Sequence, residues 1–374
     1  MKRFDAFILL IILALPTTGL TAQPSIGKLN LLDIYVVPHS LVVEGTQVGG
    51  LSGIDYDPAT KDYYLICDDR SSLQAARYYT AKINIDGSSI DTIVFTRHDL
   101  IGKDGKTYPS VKVNATATVD PEGLRYNPVR KEMVWVSEGE RIVKGKDTVL
   151  VNPGIYVTQQ GRYLREIQTP AMMHMTATES GPRQNGTFEA LTFTDNFTSL
   201  LVALEEPLFQ DGPRADVAES FSPVRISKYD VASGRQVAQY AYDLEPVAYA
   251  PLLPSAFRVN GVTDILDAGN NKLLVIERSF STGRLPCTVK VFLADLSSAT
   301  DVQGLNSLKG EASTKLVSKQ LLLNMDELGR HIDNVEGMTW GPTLPNGHRT
   351  LMFVADNNFQ DFQKTQFLLF EVVP

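Results

Sequence analysis

A hairpin motif recurs five times along this sequence at nearly even intervals, and the intervals close on themselves. It reads GLSGIDYDPATKDYYLICDDR from residue 50, DPEGLRYNPVRKEMVWVSEGE from 120 and TFEALTFTDNFTSLLVALEEP from 187. It returns as VNGVTDILDAGNNKLLVIERS from 259 and NVEGMTWGPTLPNGHRTLMFVADNN from 334. Aligned on the phrase, Ser52, Glu122, Glu189, Asn260 and Glu336 stand 70, 67, 71 and 76 residues apart. The residues outside these marks, 23–51 and 337–374, make up one further period of 67. Self-similarity at a fixed period is the mark of repeat architectures. Each unit reads as four short strands divided by turn residues, as in GLRYN, EMVWVSE, GIYVTQ and YLREIQT. The last unit has only three strands, and LNLLDIYVV near the N-terminus has no other place to pair. The expected fold is all-β: a propeller of five four-stranded blades, its ring closed by N- and C-terminal strands sharing the last blade. A β-sandwich would not need the count to close.

A blade's first strand lines the channel and its second runs back beside it. The start of the first and the end of the second therefore meet at one face, which pairs Glu122 with Glu138, Glu189 with Glu205, Glu336 with Asp356, Ser52 with Asp68 and Asn260 with Glu277. Carboxylates crowded in a partly dry channel raise one another's pKa, and a cation relieves that. Hard oxygen donors in such number suit Ca²⁺. The expected metal ligands are Asp68, Glu122, Glu138, Glu189, Glu205, Glu277, Glu336 and Asp356, with Asp69 and Glu206 on the same face. Arg70 and Arg278, each next to an acid, offer the alternative of a metal-free ring of salt bridges. Long loops such as 97–121 and 170–187 lie on this face, where function usually sits. His331, beside Asp333 and near Glu336, is the one histidine placed to take part. Within the motif the third position is Ile54, Leu124, Leu191, Val262 or Met338. The fifth is aromatic in Tyr56, Tyr126, Phe193 and Trp340, but is Asp264 in the fourth unit, which implies either a partner for that acid or a shifted register.

Bulk properties narrow the class. The 374 residues are 43% apolar and carry a net charge of -8, which argues against nucleic acid and anionic membranes as partners. Lys2 and Arg3, the run FILLIILAL and Leu-Thr-Ala at 20–22 read as a signal peptide over 1–22, leaving 23–374 as one exported domain, periplasmic or secreted, without a transmembrane anchor. The two cysteines, Cys67 and Cys287, fall on non-neighbouring units and are expected as free thiols. With five scattered histidines they supply no zinc spacing. No G-x-S-x-G, H-E-x-x-H or phosphate-binding Gly loop occurs.

The phrases DPEGLRYNP, NGTFEALTFTDN, GVTDILDAGNNKLLVIERSF and NVEGMTWGP with LMFVADNNF resemble the phytase-like family, described by its esterase-like activity of phytase, from about residue 46 to the C-terminus. The resemblance implies a β-propeller and, by relation to calcium-dependent propeller phytases, hydrolysis of phosphomonoesters. Those phytases have six blades, which makes six the alternative count. Matching positions are Glu122, Glu138, Glu189, Glu205, Glu277, Arg278, Glu336, Asp356 and Asn357. The expected function is Ca²⁺-dependent phosphoric ester hydrolysis by a monomer acting on a small anionic or ester substrate, with Arg70, Arg278 and His331 as catalytic groups. The alternatives are a lactonase or carboxylesterase using the same mouth, and a non-catalytic binding propeller stiffened by metal.

Overall fold

The computed structural model describes residues 26–374; the signal-peptide reading of 1–22 lies outside them. Five blades of four antiparallel strands stand around a channel as a propeller, and the sheet of the second is extended at its outer edge by the hairpin Gly102–Lys103 and Lys106–Thr107, joined in parallel where Gly102 meets Arg162. From the channel outward, blade 1 consists of Leu51–Asp57, Asp62–Cys67, Arg77–Asp86 and Ser89–Leu100. Blade 2 is Pro121–Asn127, Glu132–Ser137, Gly154–Gln159 and Arg162–Ile167, and blade 3 Phe188–Thr194, Ser199–Leu204, Pro223–Asp230 and Gln236–Asp243. Blade 4 is Arg258–Gly269, Lys272–Ser281, Arg284–Asp295 and Ser318–Asn324. Blade 5 takes Asn334–Thr343, Arg349–Asp356 and Thr365–Val373 from the C-terminal end. Its outermost strand is Lys28–Val37, paired from Lys28 opposite Val373 to Val37 opposite Thr365. The ring is thus closed by strands from both ends, as the leftover period required.

The turns between first and second strands are held by their own side chains. Asp57 Oδ1 accepts from the Ala59 amide, and Asn127 Oδ1 from those of Val129 and Arg130. The core lies between blades, where rows from adjacent sheets interdigitate. Val202, Ile226 and Ile265 form part of one such cluster, and Leu274, Val291 and Phe353 part of another. Trp135 and Tyr156 pack ring to ring at 4.6 Å within blade 2.

Inner strands approach one another so closely that side chains near the channel top must be small. A Cβ added at Gly53 would lie 3.1 Å from the Glu122 carbonyl oxygen, and one at Gly337 would lie 3.0 Å from the Cα of Gly53. Lower down, one side chain spans the channel. Arg125, 2% exposed, donates from Nη1 to the carbonyls of Ile54 (2.7 Å) and Leu124 (2.9 Å). Its Nη2 reaches both carboxylate oxygens of Asp264 (2.8 Å each) and the carbonyls of Ile265 and Met338. Asp264 accepts in turn from the Met338 amide at 2.8 Å. This spoke ties the inner strands of blades 1, 2, 4 and 5.

Candidate metal centre

Each inner strand carries a β-bulge at its top. The register jumps between Leu51 and Gly53, Pro121 and Leu124, Phe188 and Ala190, Val262 and Asp264, and Val335 and Gly337. A bulge re-aims a side chain, and the residue it re-aims toward the mouth is Ser52, Glu122, Glu189, Thr263 or Glu336. The second strand supplies the residue that follows the partner of the position before the bulge: Asp68, Glu138, Glu205, Arg278 and Asp356.

Blade 4 corrects the sequence alignment. Its bulge falls at Thr263, so the strand is displaced three residues from the phrase that set Asn260 beside Glu122. The second strand is displaced by one, and a one-residue slip turns every side chain to the other face of the sheet. Arg278 therefore takes the mouth position, and Glu277, expected as a metal ligand, does not. Glu277 instead accepts from Tyr242 Oη (2.7 Å), Lys319 Nζ (2.7 Å), Asn260 Nδ2 (2.6 Å) and the Glu245 amide (2.9 Å). With all those donors around a buried carboxylate it is a structural anchor. Asp264 likewise sits not at the aromatic position but where sister blades have Gly53, Gly123, Ala190 and Gly337, and Arg125 is its partner.

The other expected acids converge. Oxygen atoms of Asp68, Glu336 and Asp356 lie within 4.8 Å of one another, as do those of Asp120, Glu122 and Glu138, and those of Glu138, Glu189 and Glu205. Glu138 belongs to two of the three groups. Its Oε1 accepts from the Thr187 amide at 3.1 Å, and its carbonyl from Thr187 Oγ1 at 2.8 Å, which fix it between blades 2 and 3. Asp120 was not among the expected ligands, although it opens the DPEG phrase. Asp69 turns away to cap its own loop, accepting from the amides of Ser72 and Gln74 and pairing with buried Arg77.

The arginines are engaged. Arg278 pairs with Glu336 and, at 3.2 Å, with Glu205, and also donates to Asn334 Oδ1. Burial pulls its pKa down, and the carboxylates of Glu336 and Glu205 more than reverse that. Arg70 pairs with Glu140 (3.0 Å) and Asp120 (3.4 Å). Glu206 pairs with Arg214 at 2.8 Å. His331 does not join the groups: its ring is half exposed and meets Asp333 Oδ2 at 3.4 Å. Both cysteines are free.

Burial is the largest force on the acids. It lifts Asp68, Glu122, Glu138 and Glu189 well above the carboxylate range, helped by acidic neighbours: Asp356 acts on Asp68, Glu189 on Glu122, Asp120 on Glu138, and Glu138 on Glu189. Asp356 is pushed up to about 8 by burial and by Glu336. It is 0% exposed, and neither oxygen accepts a hydrogen bond of good geometry; the nearby Asn357 and Asn358 amides lower its pKa only in part. A buried carboxylate without partners is costly, and two acids share its group. An all-oxygen donor set of this width, with no nitrogen or sulfur, fits a hard cation whose ligands lie 2.3–2.6 Å from the metal.

The pKa shifts have a definite sign in stability. Asp356 and Glu206 rise to about 8 and Asp120 to about 7, whereas in an unfolded chain such groups titrate near 4. Between those values the folded protein binds more protons than the unfolded one. Metal-free protein should therefore lose stability as pH rises from about 4 to about 8 and level off above. Thermal midpoints in chelator at pH 5.5, 6.5 and 8 test this, and a midpoint that climbs over that range would contradict it.

Beside the mouth, across the tops of blades 3, 4 and 5, lies a cleft of about 670 Å³. Glu205, Glu206 and Arg278 form one end, and Phe257, Phe280, Leu285 and Phe362 line the other.

The family model for the phytase-like proteins, described as esterase-like activity of phytase, matches residues 46–359. The chain belongs to the phytase-like family. Its match begins at the strand preceding blade 1 and takes in all five mouth positions of both rings. The chain matches no curated protein sequence. Among solved structures it is similar to an exo-β-1,3-galactanase from Phanerochaete chrysosporium (12% identity, 91% of this chain and 64% of that one, TM-score 0.45). Others are an α-L-arabinofuranosidase from Lactobacillus brevis (10%, 86% and 91%, 0.43) and the periplasmic gluconolactonase PpgL of Pseudomonas aeruginosa (12%, 88% and 91%, 0.39). Likenesses this remote say nothing of the chemistry at this chain's mouth.

Proposed function

We propose that this phytase-like propeller is an exported, Ca²⁺-dependent hydrolase of phosphoric esters, working as a monomer at the acidic mouth. The observation that carries the reading is the Asp356 carboxylate, wholly buried, unpartnered and grouped with Asp68 and Glu336. The family's description supports ester hydrolysis. Export rests on the N-terminal apolar run, and among the described residues no helix is long and apolar enough to cross a membrane.

Asp68, Glu336 and Asp356 would hold one cation; Asp120, Glu122, Glu138, Glu189 and Glu205 would hold the rest through the shared Glu138. Bound calcium supplies Lewis acidity toward phosphoryl oxygens and lowers the pKa of water. The chain's own residues do the remainder. Burial and neighbouring carboxylates disfavour charge on Glu122 and Glu189, a penalty that a bound cation would relieve. Arg278, fixed between Glu205 and Glu336, presents a guanidinium edge at the fifth corner of an otherwise acidic ring. Arg70 orients Asp120 and Glu140 and is a positioning residue in this scheme. Without cations the mouth would repel a phosphate, so binding of substrate should itself need metal.

Metal analysis of purified protein, with turnover of an aryl phosphate in calcium and in chelator, tests the reading. The expected result is bound calcium and activity that chelator abolishes and calcium restores. Calcium without turnover of any phosphate ester would overturn the enzymatic reading in favour of a metal-stiffened scaffold. Turnover of lactones or carboxylic esters alone would move the chemistry to neutral esters.

A further inference from the structure

We infer that the ester taken by this mouth is a monoester with an apolar, ring-sized alcohol group, which lies in the cleft over blades 3, 4 and 5. The inference rests on the hydrolase reading above for its reaction, though not for its binding site. Glu205 and Arg278 at the mouth line the same cleft as Phe280 and Phe362, so a ligand with its phosphoryl group at the carboxylate ring can lay its alcohol group against this wall. Phe257, Leu285 and Phe362, all in its lining, are 53%, 65% and 67% exposed. Large apolar side chains this open, grouped on one cavity, mark a surface that something apolar covers. Phe257 and Phe280 stand 6.2 Å apart at 39°, and the Arg214 guanidinium lies 5.7 Å from the outer ring. Together they make a rigid face against which a ring can stack.

Polar substrates find little here. Among the described residues Arg278 is the cation lining the cleft, and it is already neutralised by Glu205 and Glu336. Glu206 stands in the wall, and a second phosphate on the substrate would meet it. Asn334 is occupied by Arg278, and Gln363 donates to Asp333. A polyol carrying several phosphates would thus face Glu206 and phenyl rings along this lining. In the reaction the water oxygen bonds to phosphorus as the phosphorus–oxygen bond to the alcohol breaks. The bonding pair leaves on the alcohol oxygen, which gains a proton as the attacking water loses one.

The test measures binding first. Calcium-loaded protein is titrated with 2-naphthylphosphonate and with methylphosphonate, neither of which can be hydrolysed. The naphthyl probe should bind about 100-fold tighter, and Phe362→Ser and Leu285→Ser should each reduce that advantage about tenfold while leaving the thermal midpoint in place, since both side chains are exposed. Turnover of 1-naphthyl phosphate should exceed that of glycerol 2-phosphate in kcat/KM, chiefly through KM. Equal binding of the two phosphonates, or an advantage that both variants leave intact, overturns the inference whatever the esterase assays give. If naphthyl binding depends on the wall but no ester is turned over, the cleft assignment stands and the hydrolase reading fails.

Discussion

Glu138→Gln is expected to abolish metal-dependent turnover, by about a thousandfold or more, while raising the stability of the metal-free protein. The two effects have one cause. Glu138 is shared by the groups built on Glu122 and Glu189, so its loss takes a charged oxygen ligand from both. It is also a buried carboxylate raised by burial, by Asp120 and by Glu205, and a neutral amide there relieves a penalty that grows with pH. Glutamine keeps an oxygen for the Thr187 amide, so the local fold should survive. Calcium titration followed by thermal melts in calcium and in chelator would show the crossing: at pH 8 the variant melts above the parent in chelator and below it in calcium. A variant that loses stability in both conditions would make Glu138 a structural acid and remove the main support for shared metal positions.

The second large effect belongs to the spoke. Arg125→Met should destabilise the protein by about 3–5 kcal/mol, because it leaves Asp264 buried without its counter-charge. Arg125 and Asp264 have side chains only 3% and 2% exposed, so solvent cannot take over. The deficit should depend on pH in a set direction. Burial already holds Asp264 at about 6, with Arg125 pulling the other way. Without Arg125 the carboxyl rises further and is neutral at pH 5, so the variant's deficit shrinks on acidification and is largest above neutrality. Adding Asp264→Asn should recover part of the loss at pH 8 and little at pH 5. Denaturant midpoints at the two pH values measure this, and a deficit independent of pH would mean that lost packing across the channel, not charge, dominates.

How much of this could be read from residues alone depended on the blade. Glu122 with Glu138, and Glu189 with Glu205, were legible because their hairpins have the same length. The closing strand was legible because LNLLDIYVV had no other partner. Blade 4 was not. Its first strand runs three residues longer before the bulge, and the phrase NGVTDILD imitates EGLRYNP closely enough to align on Asn260. The apolar period continues through Val259, Val262 and Ile265, so it cannot reveal which residue is bulged. Only the ladder opposite Ile276 and Glu277 fixes it, and with it the exchange of Glu277 for Arg278. The cleft wall was invisible for another reason: Phe257 and Phe362 stand in a loop and a turn and Leu285 at the start of a strand, and nothing local distinguishes gathered apolar residues from scattered ones.

The closing of blade 5 by Lys28–Val37 and Thr365–Val373 also sets a schedule for the chain. Four blades can form from residues near in sequence as they leave the ribosome, but the fifth needs the first strand and the last together. Until Val373 emerges, the earliest strand keeps an open edge and the ring stays ajar. With the other blades already in place, the ring locks in a single late event, when these two strands meet.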